Sequence, residues 1–444
     1  MLLLSLLGAC APRPAPSPPA PTVAERFGDA PFLEPIDAPL TVALTSGGSF
    51  PSTAATCGGC HPDHHAEWSN STHAHAIRDL QFVAELAKPG QPRWLCLNCH
   101  APTRPQRRER VEAQTRLAAP GRIDALAATP EPDFDPARVE EGVTCAACHV
   151  RRDSDGEGLV VGPRGSGRAP HRVRADRQAL HDICVRCHSP VSPPISPTLV
   201  CWFETAQEVR AGPTPDADCP SCHMPEAERP PAVGAEPLAV RRHLWLGGGV
   251  PKTFAGYAWH AEQGWTPGLD VDVATDPVVV TLTDARAAHD LPTGDPERHL
   301  VVEARFEAAD GAVLARDTLR IGQRWDWGDA ETGRVAHRIE DTRLRPGEAR
   351  RWTPVLAADG ATRLVVEVTH VRVTEENADA MARAQLDDAL RALWPEAAGL
   401  LPDFRAHYPL STIVARLTAP LDGGPVVRTP TAELLATSAR RGSP

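Results

Sequence analysis

Cys57-Gly58-Gly59-Cys60-His61 is the first of five Cys-x-x-Cys-His stretches in this chain. The others are Cys96-Leu97-Asn98-Cys99-His100, Cys145-Ala146-Ala147-Cys148-His149, Cys184-Val185-Arg186-Cys187-His188 and Cys219-Pro220-Ser221-Cys222-His223. Each reads as the attachment signature of a c-type haem. Two thiols add across the porphyrin vinyl groups as thioethers, and the adjacent His gives its nitrogen to the iron. A zinc ribbon or a redox dithiol also uses Cys-x-x-Cys. Ribbons need such pairs in twos, whereas five is odd, and neither alternative requires a His after the second Cys. With 18 His among 444 residues, five in that position by chance is roughly a one-in-ten-million event. The expectation is five covalent haem c groups on these ten Cys, with His61, His100, His149, His188 and His223 as proximal ligands.

Of the 12 Cys, only Cys10 and Cys201 lie outside these motifs. Cys10 closes Met1-Leu2-Leu3-Leu4-Ser5-Leu6-Leu7-Gly8-Ala9, an apolar run before a Cys that reads as a lipoprotein-type signal over 1–10, with Cys10 the lipidated residue. The run is far too short to span a bilayer. Residues 11–50 read as a Pro-rich tether that has no means of forming a core. Because c-type haem is attached outside the bacterial cytoplasm, the expected location is periplasmic or outer-membrane-associated. Cys201 reads as an inert buried thiol.

A net charge of −11 argues against nucleic acid as a partner. The chain has 46 Pro and 33 Gly but only 5% aromatics, too little bulk for a normal core in the motif-bearing half. Residues 51–250 are therefore expected to be a mainly irregular and α-helical domain organised by its haems and folding only with them. A helix-like apolar spacing runs from His64 to Val83. From residue 251 to 375 the pattern changes to short β-runs, Pro277–Thr283, His299–Phe306, Ala312–Ile321, Arg350–Leu356 and Arg363–Val373, with Asp-Gly and Pro-Gly turns between them. This predicts an antiparallel β-sandwich-like domain. Residues 376–420 read as a helical segment with Met381, Leu386, Leu390 and Leu393 on its apolar side, and 421–444 as a disordered tail.

Cys57–His61 is followed by Trp68-Ser69-Asn70-Ser71-Thr72-His73-Ala74. This stretch resembles the opening of the multihaem cytochromes of the c-552/c-554 kind. Gly142-Val143-Thr144-Cys145, Ala169-Pro170-His171, Met224-Pro225 after the fifth motif, His243-Leu244-Trp245 and His289-Asp290-Leu291-Pro292-Thr293-Gly294 are similar to that group as well. The resemblance covers about residues 55–350, and the fifth motif and the β-domain depart from the tetrahaem pattern. It implies His73, His171, His243 and His289 as distal iron ligands, while His75 and His260 compete for a fifth place that a five-coordinate haem would leave open. Only Met1, Met224 and Met381 are present, so bis-His ligation and low potential are expected. His64 and His65 read as exposed helix residues, and His299, His337 and His370 as structural.

The sequence is compatible with three functions. An electron carrier would pass electrons between redox partners such as other cytochromes or membrane dehydrogenases. A haem oxidoreductase of nitrite or hydroxylamine chemistry would need one open iron; no Cys-x-x-Cys-Lys motif occurs, and neither Tyr257 nor Tyr408 sits in a crosslinking context. A docking role for the β-domain is compatible with the first.

Overall fold

The computed structural model describes residues 21–27, 33–88, 92–190, 203–245 and 263–441, apart from positions 113, 120, 121, 127, 166, 264, 330, 331, 333 and 356–358. Cys10, Cys201 and His260 lie outside the described residues, as does the assigned signal.

The motif-bearing half is built from short helices: α1 (Ala54–Cys60), α2 (Pro62–Ser69), α3 (Leu80–Leu86), α4 (Arg93–His100), α5 (Cys145–His149), α6 (Arg177–His188), α7 (Thr205–Ala211) and α8 (Cys219–His223). Small ladders join them, such as Val150–Arg152 with Gly158–Gly162 and Glu226–Arg229 with Leu238–Arg241. The helix-like spacing of His64–Val83 is split in two. At the break, Ser71 Oγ donates to Trp68 O (2.7 Å) and Asn70 Nδ2 to Ala66 O (2.9 Å), the local bonding by which short polar side chains compete with helix. Helix then restarts at Leu80, where the Asp79 carboxylate accepts from Phe82 N. His73 sits in this break.

The C-terminal half holds two antiparallel sheets. One is ordered β1 (Leu269–Thr275), β2 (Val278–Asp284), β6 (Ala349–Trp352). The other is six-stranded, in the order β5 (His337–Asp341), β4 (Val313–Asp326), β3 (His299–Glu307), β7 (Arg363–Val371), β8 (Ser411–Pro420), β9 (Val427–Arg428). Alternate residues face inward. Val271, Val280 and Leu282 of the first sheet share one core with Val302, Ala304, Ile321, Leu364 and Val366 of the second. This is the expected sandwich, but it does not end at residue 375. The segment 376–420 forms α9 (Glu375–Ala382), α10 (Asp388–Leu393), α11 (Ala397–Leu400) and α12 (Phe404–His407) and then contributes β8, an inner strand. Thr412-Ile413-Val414 supply the β-branched side chains that favour it. Nor is 421–444 a structureless tail: β9 and α13 (Thr431–Arg441) lie within it, with Leu434 and Leu435 buried.

The two halves are packed together. Ile77, Leu80, Phe82, Val83 and Leu86 form one apolar cluster with Val373, Met381, Leu390, Phe404 and Tyr408. Burial of each such side chain is worth about 1.5–3 kcal/mol. Among the described residues no helix is long and apolar enough to cross a membrane.

Candidate functional site

Each Cys-x-x-Cys-His occupies one turn at the end of a helix. Residues three and four apart share a helix face, so both sulfurs and the imidazole are offered on one side. The chain then leaves the helix at once. The backbone N–H at each C-cap closes the last turn: His61 onto Cys57 O, Ala101 onto Leu97 O, Val150 onto Ala146 O, Ser189 onto Val185 O and Met224 onto Pro220 O. None of the ten motif Cys is in a disulfide. Burial pushes the Cys96 thiol up to about 12 and Cys148 to about 11, surroundings that suit a neutral sulfur better than a zinc-bound thiolate. The motifs also touch one another through their sulfurs: Cys57 with Cys145, Cys99 with Cys187, and Cys184 with Cys219.

Five of the histidines are held in the form a metal requires. His61 Nδ1 lies 2.6 Å from Pro231 O, His100 Nδ1 2.9 Å from Ala76 O and His149 Nδ1 2.8 Å from Val161 O. His243 Nδ1 meets Arg241 O at 3.1 Å, and His289 Nδ1 meets Asp290 O at 3.0 Å. A carbonyl only accepts, so Nδ1 carries the proton and Nε2 keeps its lone pair. Burial also keeps rings neutral, pulling His73 and His243 down to about 3 and His188 to about 4.

Four ring pairs stand at a common separation. His61 and His171 are 6.5 Å apart between centroids, His73 and His188 6.1 Å, His149 and His243 6.0 Å, and His223 and His289 6.3 Å. Two imidazoles bound to one metal from opposite sides, with bonds of about 2 Å, have centroids roughly 6 Å apart. The residues therefore fit the group. Each pair joins a motif His to one of the four histidines that the resemblance singled out, and the fourth pair draws its second ring from the loop between β2 and β3. At His100 the ring of Phe82 stacks at 3.6 Å, with the planes 2° apart. His75 differs from the paired rings, because its Nε2 lies 3.0 Å from Ser69 O.

The model for the family described as cytochrome c554 and c-prime matches residues 56–119. The solved penta-heme cytochrome c552 from Thermochromatium tepidum is similar in fold, with a TM-score of 0.54 at 20% identity, over 83% of this chain and 98% of that one. Both findings support a multihaem c-type cytochrome family for this chain. No curated protein matches it. The same findings support haem c and a redox role, in line with the motifs.

Several residues that support the site in this cytochrome are not apparent in its sequence. His64 is half-buried rather than exposed, with its ring 6.0 Å from His61 and 4.8 Å edge-on to His243. Its pKa falls to about 4, chiefly through burial and then the charge of Arg229. The left-handed backbone of Gly142 (φ +57) presses against the loop that carries His73: a Cβ there would meet His73 O at 2.5 Å and Ala74 O at 2.8 Å. Val143 completes that join, its N–H donating to His73 O (2.8 Å) and its carbonyl accepting from Trp68 Nε1 (2.8 Å).

The sandwich is clamped to α7 by buried charge. The Arg343 guanidinium pairs with Glu208, with Asp341 (2.8 Å) and with Asp290 (3.2 Å), while Thr293 Oγ1 donates to Glu208 Oε2 (2.6 Å). Asp290 and Thr293 flank the loop that carries His289, so the clamp fixes where that ring lies. Partners this far apart in the chain give no local signal.

Proposed function

We propose that this cytochrome carries electrons through five covalent haem c groups, mostly bis-His ligated and of low potential. The four ring pairs at 6.0–6.5 Å carry this reading. The bound haems supply the redox chemistry. The protein's residues hold them. Ten Cys would anchor them, His61, His100, His149, His188 and His223 would be the motif ligands, and His171, His73, His243 and His289 the second ligands of the first, fourth, third and fifth. The sulfur contacts join the first motif to the third and the fourth to both the second and the fifth, and Cys148 of the third lies near Cys187 of the fourth, which supports a route through all five. Carbonyls orient the rings of His61, His100 and His149, so a change of iron charge would require little reorganisation around them.

The same reading places the chain outside the cytoplasm, anchored through Cys10, and gives it redox proteins as partners. With a net charge of −11 the partner surface is basic. Association should weaken as salt rises from low to physiological strength and the screening length shortens to about 8 Å.

The test is the electron paramagnetic resonance spectrum of the oxidised, fully loaded protein, with iron counted alongside. At least four low-spin ferric signals among five irons are expected. A high-spin signal that shifts on adding nitrite or hydroxylamine would replace the carrier with an oxidoreductase, and fewer than four low-spin signals would overturn the ligand pairs.

A further inference from the structure

We infer that Glu67 is the positioning residue that sets His243 opposite His149. This rests on the reading of His243 as an iron ligand, and it concerns how a loop ligand is held in place.

Glu67 sits on α2, just after the first motif, and only 6% of it is exposed. All of its acceptor capacity faces the segment that ends in His243. Oε1 accepts from Arg229 Nη1 and from Arg242 Nε, both at 2.7 Å. Oε2 accepts from Arg229 Nη2 at 2.8 Å and from the His243 backbone N–H at 2.7 Å. Every donor except the His243 amide is a guanidinium, and charge-assisted bonds of this kind are about twice as strong as neutral ones. The bidentate grip on Arg229 fixes the plane of the carboxylate, which in turn fixes the His243 amide. Arg241, one residue further back, is held by its ladder pairing with Glu226. Three consecutive residues are thus pinned, leaving the His243 side-chain torsions as the main freedom.

Those torsions are restrained from the same helix. His64 lies one turn before Glu67 on the same face, and its ring meets the His243 ring edge-on at 4.8 Å. The Nδ1 contact to Arg241 O then sets the flip of the imidazole. So α2 holds His243 by its backbone through Glu67 and by its ring through His64. The helix that follows the first attachment motif thereby sets the ligation of the third.

The experiment compares the loaded wild-type protein with Glu67→Gln, His243→Ala and the double variant, reading iron content, paramagnetic resonance and midpoint potentials. Glu67→Gln keeps the shape but turns two amide hydrogens toward donors. At five irons per chain, we expect it to lose or shift one low-spin signal, the same one that His243→Ala removes, with millimolar imidazole restoring it. The double variant should match His243→Ala alone. If His243→Ala leaves every low-spin signal intact, the ligand assignment fails. If His243→Ala removes one signal while fully loaded Glu67→Gln keeps all of them at unchanged potential, the positioning role is overturned. Should Glu67→Gln not assemble, Arg242→Gln carries the test. It removes one bond to the carboxylate and leaves the Arg229 pair, and a wild-type spectrum in that variant counts against the inference.

Discussion

Asp284, at the end of β2, is 1% exposed; its Oδ1 accepts from Ala287 N (3.1 Å), and its Oδ2 is buried without a partner. Burial first, and then the neighbouring Asp290 and Glu348, raise its pKa to about 7. An unfolded Asp ionises near 3.9. Between those two values the unfolded chain releases a proton that the folded chain retains, so stability falls as pH rises from about 4 through about 7. Asp284→Asn should therefore melt above wild type at pH 8, with a gain of up to about 4 kcal/mol, and level with it at pH 4. Glu67 has the opposite sign. Burial opposes ionisation there, but Arg229, Arg242 and the His243 amide prevail and hold its pKa at about 2. Its contribution is present above about 4.5 and is lost as pH falls through 2. Gly142→Ala should reduce the yield of loaded protein measured by iron content, since a side chain at φ +57 would meet the His73 carbonyl. At this scale the attachment residues could be read directly, because their chemistry demands a fixed local spacing. The four paired histidines came from resemblance to a family. Glu67, His64 and Arg343 gave no such signal, because Arg229, Arg242 and Glu208 reach them only in the folded chain.

Among the elements, α13 is the clearest case of a segment with more structure than its composition suggests. Leu434 and Leu435 are buried against the sandwich, and Ser438 Oγ accepts from Ile413 N (2.9 Å) on β8. Leu435→Ala should cost about 2–4 kcal/mol, read as a lower melting temperature, and a chain stopped at Pro430 should lose more. The sequence of the tail is short, charged and rich in Gly and Pro up to Pro430, which hides a helix with so few apolar anchors. The strand β8 was hidden differently, by the helical run that precedes it. By contrast, β3 alternates over most of its nine residues and β7 is buried in succession from Leu364 to Val368; both were legible as Val-rich runs between turns.

Over the whole molecule, the two halves are joined by one apolar cluster and one buried ionic knot. Arg343→Met would take the buried cation from Glu208 and leave Asp290 to Arg345 and Asp341 to Arg338. Removing one partner of such a network costs about 3–5 kcal/mol. The expected outcome is a lower melting temperature together with a changed signal from the haem at His223, while the haem at His61 is unaltered. His289 lies between that knot and the fifth motif, which has a consequence for biosynthesis. The fifth motif is local in sequence and precedes His289, so attachment there does not require the sandwich to have folded. On the ligand reading proposed here, the last porphyrin can be fixed covalently while one of its faces still waits for the sandwich to close. Its colour would then change at a definite moment in maturation, when the β-domain docks. A single absorbance band could thus separate fully assembled molecules from those that are loaded but unfinished.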